Sequence, residues 1–323
     1  EDLLRRRQAF AGKVVNHAPR PAIRFQHLIT HQAGEHLAQV VRVSIADLLQ
    51  PGMADHPLDR CRGQALPRSL RLRGGSDGKL MCGIAGFFSP GAEALDHRAI
   101  GLRMIGTLHH RGPDDRGLWF DASAGVALCQ ARLSIVDLSP AGHQPMTSHG
   151  LVIVFNGQIY NHVELRASLG MHPWRGHSDT EVFLTAIEQW GMTRALERSR
   201  GMFAFALWDR GRRMLTLGRD RFGEKPLYFG WQGEGRGRTL LFGSELKALR
   251  AHPAWRADID RDALALYMRH NYVPGPWSIY RGIAKLPPGH LLEISAASQD
   301  AEPQAYWSLA EVARAGVAAP THA

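Results

Sequence analysis

At 323 residues and 35.8 kDa, with 44% apolar residues, the chain is long enough to build one large domain or two ordinary ones around a real core. No run approaches the 18 apolar residues of a membrane-spanning helix, and three irregularly spaced cysteines (Cys61, Cys82, Cys129) match neither a disulfide framework nor a zinc site, which favours a reducing, cytoplasmic setting. The net charge of +9 is no nucleic-acid signature. Residues 1–80 hold 13 Lys+Arg against 7 Asp+Glu, a net of +6, and the remainder holds 26 against 23, a net of +3.

Residues 1–80 also lack every Trp and Tyr of the chain and show little periodicity beyond a short apolar patch at Val40–Leu49. RRRQ near the start is followed by no apolar run, which argues against a secretory signal, and the opening Glu1-Asp2 fits a transit peptide badly. Three readings of residues 1–81 stand side by side: translated upstream sequence that is not native protein, a removable propeptide, or a basic appendage. RGGSDGK (Arg73–Lys79) superficially resembles a pyrophosphate-binding SGGxDS loop, but no apolar strand leads into it and no helix pattern follows.

Beyond Met81 the pattern is that of a globular domain. IAGFF (84–88) reads as a buried strand and His97–His109 as a helix; GVALCQARLSIVDL (125–138) and LVIVFNG (151–157) read as strands. HVELRASLG (162–170) and DTEVFLTAIEQWG (179–191) are helices with Gly stops. GMFAFALWD (201–209), MLTLGRD (214–220) and TLLFGSE (239–245) add strands, and the Gly-rich GWQGEGRGR (230–238) reads as a hairpin loop. IDRDALALYMRH (259–270) is a helix and GHLLEI (289–294) a last strand. Antiparallel strands with helices in separate groups predict an α+β layered fold.

Cys82 directly follows a methionine. A thiol is a strong nucleophile but only a few per cent thiolate at neutral pH, and a free α-amine on the same residue would serve as its base. Removal of everything through Met81 exposes that amine; in the chain as written it is an amide.

MCGIAGFF (81–88), HHRGPDDRG (109–117), ARLSIVDLSPAGHQPM (131–146), FNGQIYNHVELR (155–166), SDTEVF (178–183), GMFAFALWD (201–209), RDRFGEKPLYF (219–229) and FGSELKAL (242–249) occur in order. Over residues 82–307 the chain resembles the glutaminase domain of glutamine-hydrolysing asparagine synthetases, which are class II (N-terminal-nucleophile) glutamine amidotransferases. The resemblance implies a four-layer αββα sandwich with two antiparallel sheets between helix layers. It divides the chain into a segment 1–81 outside the family, an amidotransferase domain at 82–295, and at 296–323 the start of a connection to an ATP-dependent synthetase domain. No SGGxDS loop follows the glutaminase motifs, so the chain reads as a fragment ending before that domain.

The resemblance also implies roles. Cys82 matches the nucleophile that forms a γ-glutamyl thioester, and Asn156 with Gly157 the oxyanion hole. Arg132 matches the clamp on the substrate α-carboxylate, Asp179 the acceptor for its α-ammonium, and Ile135 and Val136 the pocket lining. Gln158 stands where many members have Glu, which implies weaker glutamine binding. Arg111 and Gly112 belong to a loop near the nucleophile. Taken alone, Cys82 fits a small buried hydrophobe, Asn156-Gly157 a hairpin turn, Arg132 a solvated surface charge, and Asp179 a surface charge or a helix N-cap. The implied partners are L-glutamine here, with L-aspartate and ATP in a full-length enzyme. The glutaminase is expected to need no cofactor or metal, ATP and Mg belonging to the synthetase domain. No membrane or nucleic-acid partner is expected, and homodimers are common in the family. The alternatives are another class II amidotransferase, of the glucosamine-6-phosphate synthase or amidophosphoribosyltransferase type, or a catalytically silent scaffold if residues 1–81 are retained.

Overall fold

The computed structural model describes residues 81–92 and 95–318. The expectations for residues 1–80, RGGSDGK included, and for 319–323 lie outside the described residues. In chain order the strands are β1 (Gly83–Phe88), β2 (Asp115–Asp121), β3 (Val126–Arg132), β4 (Met146–Ser148), β5 (Leu151–Ile159) and β6 (Gly201–Asp209). They continue with β7 (Met214–Arg219), β8 (Tyr228–Gln232), β9 (Thr239–Gly243), β10 (Ala284–Lys285), β11 (His290–Ser295) and β12 (Gln304–Ala305). The α-helices are α1 (His97–Gly106), α2 (His162–Ser168), α3 (Asp179–Trp190), α4 (Met192–Arg198), α5 (Leu246–Arg250), α6 (Arg261–His270) and α7 (Leu309–Ala318).

The strands form two six-stranded sheets, ordered β10-β8-β9-β1-β3-β2 and β12-β11-β7-β6-β5-β4, with every pairing antiparallel. Because strand side chains alternate between faces, one set from each sheet meets in the middle. Ile84, Phe88, Val126, Leu128 and Phe242 of the first sheet pack with Val152, Val154, Ala206, Trp208 and Leu217 of the second. The opposite set of the first sheet (Phe87, Ala127, Cys129) packs under α1 and α5. That of the second (Ile153, Phe155, Phe205) packs under α2, α3 and α4. Helices, sheet, sheet, helices: this is the four-layer αββα sandwich.

Local signals set most boundaries. Asp96 caps α1 through Ala99 N–H, and Ser178 caps α3 through Thr180 N–H. Gly191 stops α3 at φ 81°, a conformation that favours glycine. The hairpin loop expected at 230–238 does join the antiparallel pair β8 and β9, but it spans 233–238 because Gly230, Trp231 and Gln232 pair with β9 as the end of β8. Two expectations are corrected. The run 125–138 is strand only to Arg132, because beyond it the chain folds back and places the Asp137 and Ser139 carbonyls on the Arg132 guanidinium. The helix after His97 ends at Gly106, three residues early, and continues as turn. The elements that carried no sequence expectation are β2, which begins within the HHRGPDDRG motif, the strands β4, β8, β10 and β12, and the helices α4, α5 and α7.

Candidate active site

Register places the site. Gly83 pairs with Ala131, so Cys82 lies at the mouth of β1 beside the end of β3. On β3 the side chains facing the other sheet run Val126, Leu128, then Gln130 and Arg132; on β5 they run Val152, Val154, then Asn156. The same two-residue period that fills the inter-sheet core with apolar groups therefore delivers polar ones at its end. There they line a cavity of about 720 Å³ with Cys82, Ile135, Val136, Gly157, Gln158 and Asp179.

The Cys82 thiol bonds the Leu133 backbone, accepting from N–H at 3.3 Å and donating to the carbonyl at 3.4 Å. Burial pushes the thiol up, against the Leu133 bond and the charges of Arg132 and Lys225; Asp179 adds to the rise. Arg132 is buried, contrary to a solvated surface charge, and its guanidinium donates to the carbonyls of Asp137 and Ser139. Gly142 lets that fork lie flat, since a Cβ there would sit 2.0 Å from Arg132 Nη2. Asp137 folds the same loop by accepting Ser139 N–H and His177 N–H at 2.8 and 2.9 Å. Ile135 and Val136 stay 59% and 38% exposed, forming an apolar wall open to solvent.

Asn156-Gly157 is not a turn. Asn156 pairs with Ala204 and Gly157 with Phe203 inside β5, and a Cβ on Gly157 would stand 2.2 Å from the Met202 carbonyl, so only glycine permits the approach of β6. Asn156 is 1% exposed and its Nδ2 has no partner among the described residues, an orphan donor at the cavity wall. Asp179 is neither a surface charge nor the cap of α3. It is the first helical residue, after the Ser178 cap, and is buried with Oδ2 accepting Ile159 N–H at 2.8 Å. Burial pushes its carboxyl up, against that bond and the charge of His162.

Arg111 and Gly112 are off the cavity lining but support it. Arg111 Nε donates to the Cys82 carbonyl at 3.0 Å while Nη1 pairs with Glu245 at 2.9 Å. A Cβ on Gly112 would lie 2.2 Å from the Ala131 backbone, so glycine lets this loop rest on β3. Further lining residues went unassigned in the sequence, among them the polar Gln130, Gln144, Glu224 and Lys225. Gln130 was legible as the residue two before Arg132 on the same strand face. Nothing local marked the others.

Residues 81–307 match the family described as "Glutamine amidotransferase domain". The chain belongs to that family. Glutamine is accordingly its substrate. Two relatives in Bacillus subtilis are named as glutamine-hydrolyzing asparagine synthetases. Number 3 is 36% identical over 223 residues, covering 67% of this chain and 35% of the relative. Number 2 is 34% identical over 244 residues, covering 72% and 31%. The amidotransferase domain chain thus spans about a third of the length of these relatives. A solved glutamine phosphoribosylpyrophosphate amidotransferase from B. subtilis shares the fold, with TM-score 0.51 at 18% identity over 70% of this chain and 49% of that one.

Proposed function

We propose that the domain hydrolyses glutamine through a thioester on Cys82. Sγ attacks the side-chain amide carbon, the C–N bond breaks, and the thiol proton leaves with the amide nitrogen as ammonia. Water then splits the S–C bond to give glutamate and regenerate the thiol. Asn156 Nδ2 and the Gly157 N–H are the donors for the oxyanion, Arg132 takes the substrate α-carboxylate as a planar fork, and Asp179 with Gln158 takes the α-ammonium. One observation carries this reading: residues nominated on separate motifs, Cys82, Arg132, Asn156, Gly157 and Asp179, line a single cavity.

The base is the α-amine of Cys82, so the active form is the one in which Cys82 is amino-terminal and residues 1–81 are no longer attached. The amino-terminal sequence of purified protein, read beside its glutaminase turnover, tests this. Turnover with Cys82 first, lost in Cys82→Ala, is the expected result. Full turnover by protein retaining residues 1–81 overturns the assignment of the base. Retained residues 1–81 without turnover make this form a silent scaffold.

The names of the relatives support a longer protein in which the ammonia is transferred to an aspartate activated by ATP and Mg, giving asparagine. The glutaminase step described here uses protein groups and water. A nucleophilic thiol suits a reducing compartment, so we place the protein in the cytoplasm. Among the described residues no helix is long and apolar enough to cross a membrane.

A further inference from the structure

The loop from Arg219 to Lys225, between β7 and β8, is held from two sides. Fully buried Asp220 accepts four backbone N–H groups, from Phe203 and Lys225 on Oδ2 at 3.2 and 3.0 Å and from Phe222 and Glu224 on Oδ1 at 3.0 Å each. The Arg219 guanidinium donates to the carbonyls of Gly223, Lys225 and Leu286 at 2.5, 2.8 and 2.7 Å. So rigid a loop fixes where its last side chain goes. Lys225 is 5% exposed, lines the cavity, and donates from Nζ to Met81 Sδ at 3.1 Å, one residue from Cys82.

A thioether is a weak acceptor, and among the described residues Lys225 makes no ion pair. Burying an ammonium on such terms opposes folding, so the charge calls for a use at the cavity. The other charges facing Cys82 are committed. Arg111 is neutralised by Glu245, Arg132 is bonded to the carbonyls of the 133–139 loop, and Asp179 acts with the opposite sign. Around Lys225 itself, burial and then Arg111 push its ammonium down, while Cys82, Glu224 and Asp220 push it up.

We propose that Lys225 is a positioning residue that acts through Cys82, its fixed positive charge easing loss of one proton there so that the reactive form prevails at lower pH. The proposal rests on the reading of Cys82 as nucleophile. When Cys82 is amino-terminal, loss of one proton gives either thiol with free amine or thiolate with ammonium. Both carry one positive charge fewer, so a neighbouring cation favours the loss whichever group releases the proton. In the chain with residues 1–81 attached only the thiol titrates, and the sign is the same.

The test is alkylation of Cys82 by iodoacetamide across pH in the full chain, read by peptide mass mapping so that Cys61 and Cys129 are scored separately. Lys225→Met and Lys225→Gln are expected to raise the midpoint by about one pH unit, slowing alkylation about tenfold below it and converging with the parent above it. Lys225→Arg is expected to restore the parent midpoint. An unchanged midpoint in the neutral variants overturns the proposal, as does a shift that Arg shares. Neutral variants that fail to fold overturn it too, by assigning Lys225 to the architecture. Glutaminase activity persisting in Cys82→Ala would sink the nucleophile reading while leaving the alkylation result to judge Lys225 alone.

Discussion

The side-chain amide of Gln130 on β3 donates to the backbone carbonyl of Phe155 on β5 at 2.9 Å, joining the two sheets one residue before Asn156. The Phe155 N–H is held in turn by Gln144 Oε1 at 2.7 Å, so both backbone groups leading into Asn156 are fixed by glutamine side chains.

Gln130→Leu strands the buried Phe155 carbonyl, a loss of about 1–3 kcal/mol that removal of the already unpartnered Gln130 Oε1 partly offsets. A lower urea midpoint is expected, accompanied by reduced kcat because Asn156 is no longer held in place. An unaltered midpoint would show that the inter-sheet bond contributes nothing.

Asn156→Ala removes the orphan donor from the cavity wall. A fall in kcat of about 10²–10³-fold is expected with little change in KM, since the developing oxyanion, and not the ground-state amide, needs the donor most. Steady-state glutaminase kinetics on protein with an unchanged circular dichroism spectrum decide it. A purely raised KM would instead place Asn156 in substrate binding.

Gln158 lines the same cavity as Asp179 and offers an ammonium only a neutral carbonyl oxygen. Gln158→Glu is expected to lower the KM for glutamine with kcat nearly constant, as a carboxylate holds an ammonium more strongly than an amide does. Equal KM values for parent and variant would remove Gln158 from the ammonium site.

Acid stability is expected to fall in two windows. Burial, with the charges of Arg103 and His97, pulls His252 from 6.5 down to about 4. As pH falls below 6.5 the unfolded chain therefore takes up a proton that the folded chain refuses until about 4, and stability drops across that range. For Glu245 burial acts upward, but the hydrogen bonds of Arg111, Lys247 and His110 outweigh it and bring the carboxyl from 4.5 to about 2. Its contribution is present above 4.5 and is lost as pH falls towards 2. Urea midpoints measured from pH 7 to pH 3 check both. His252→Phe should flatten the upper window and Glu245→Gln the lower, and parent-like slopes in both variants would refute the assignment.

Much of the fold was legible because its signals are local. The apolar runs of β1, β3, β5 and β6 are contiguous in the chain, and the caps Asp96, Ser178 and Asp260 lie within three residues of the N–H groups they hold. The candidate site residues were legible through motifs, which fix residue type and order but not surroundings. Hence Cys82, Arg132, Asn156, Gly157 and Asp179 were named, while Arg132 and Asp179 still resembled surface charges.

By itself the sequence determined the strands β1, β3, β5, β6, β7, β9 and β11, the starts of α1, α2 and α3, and the motif residues that are candidates for amide chemistry. Only the tertiary structure decided that Asn156-Gly157 is mid-strand, that the chain turns away after Arg132, and that Gln130 and Lys225 join the cavity. The reason is distance along the chain. Cys82 bonds Leu133 across 51 residues, Gln130 reaches Phe155 across 25, and Lys225 meets Met81 across 144. The first contact exists only once β1 has paired with β3 and the second only once the two sheets have stacked face to face, and no local pattern encodes which loop then closes over their end.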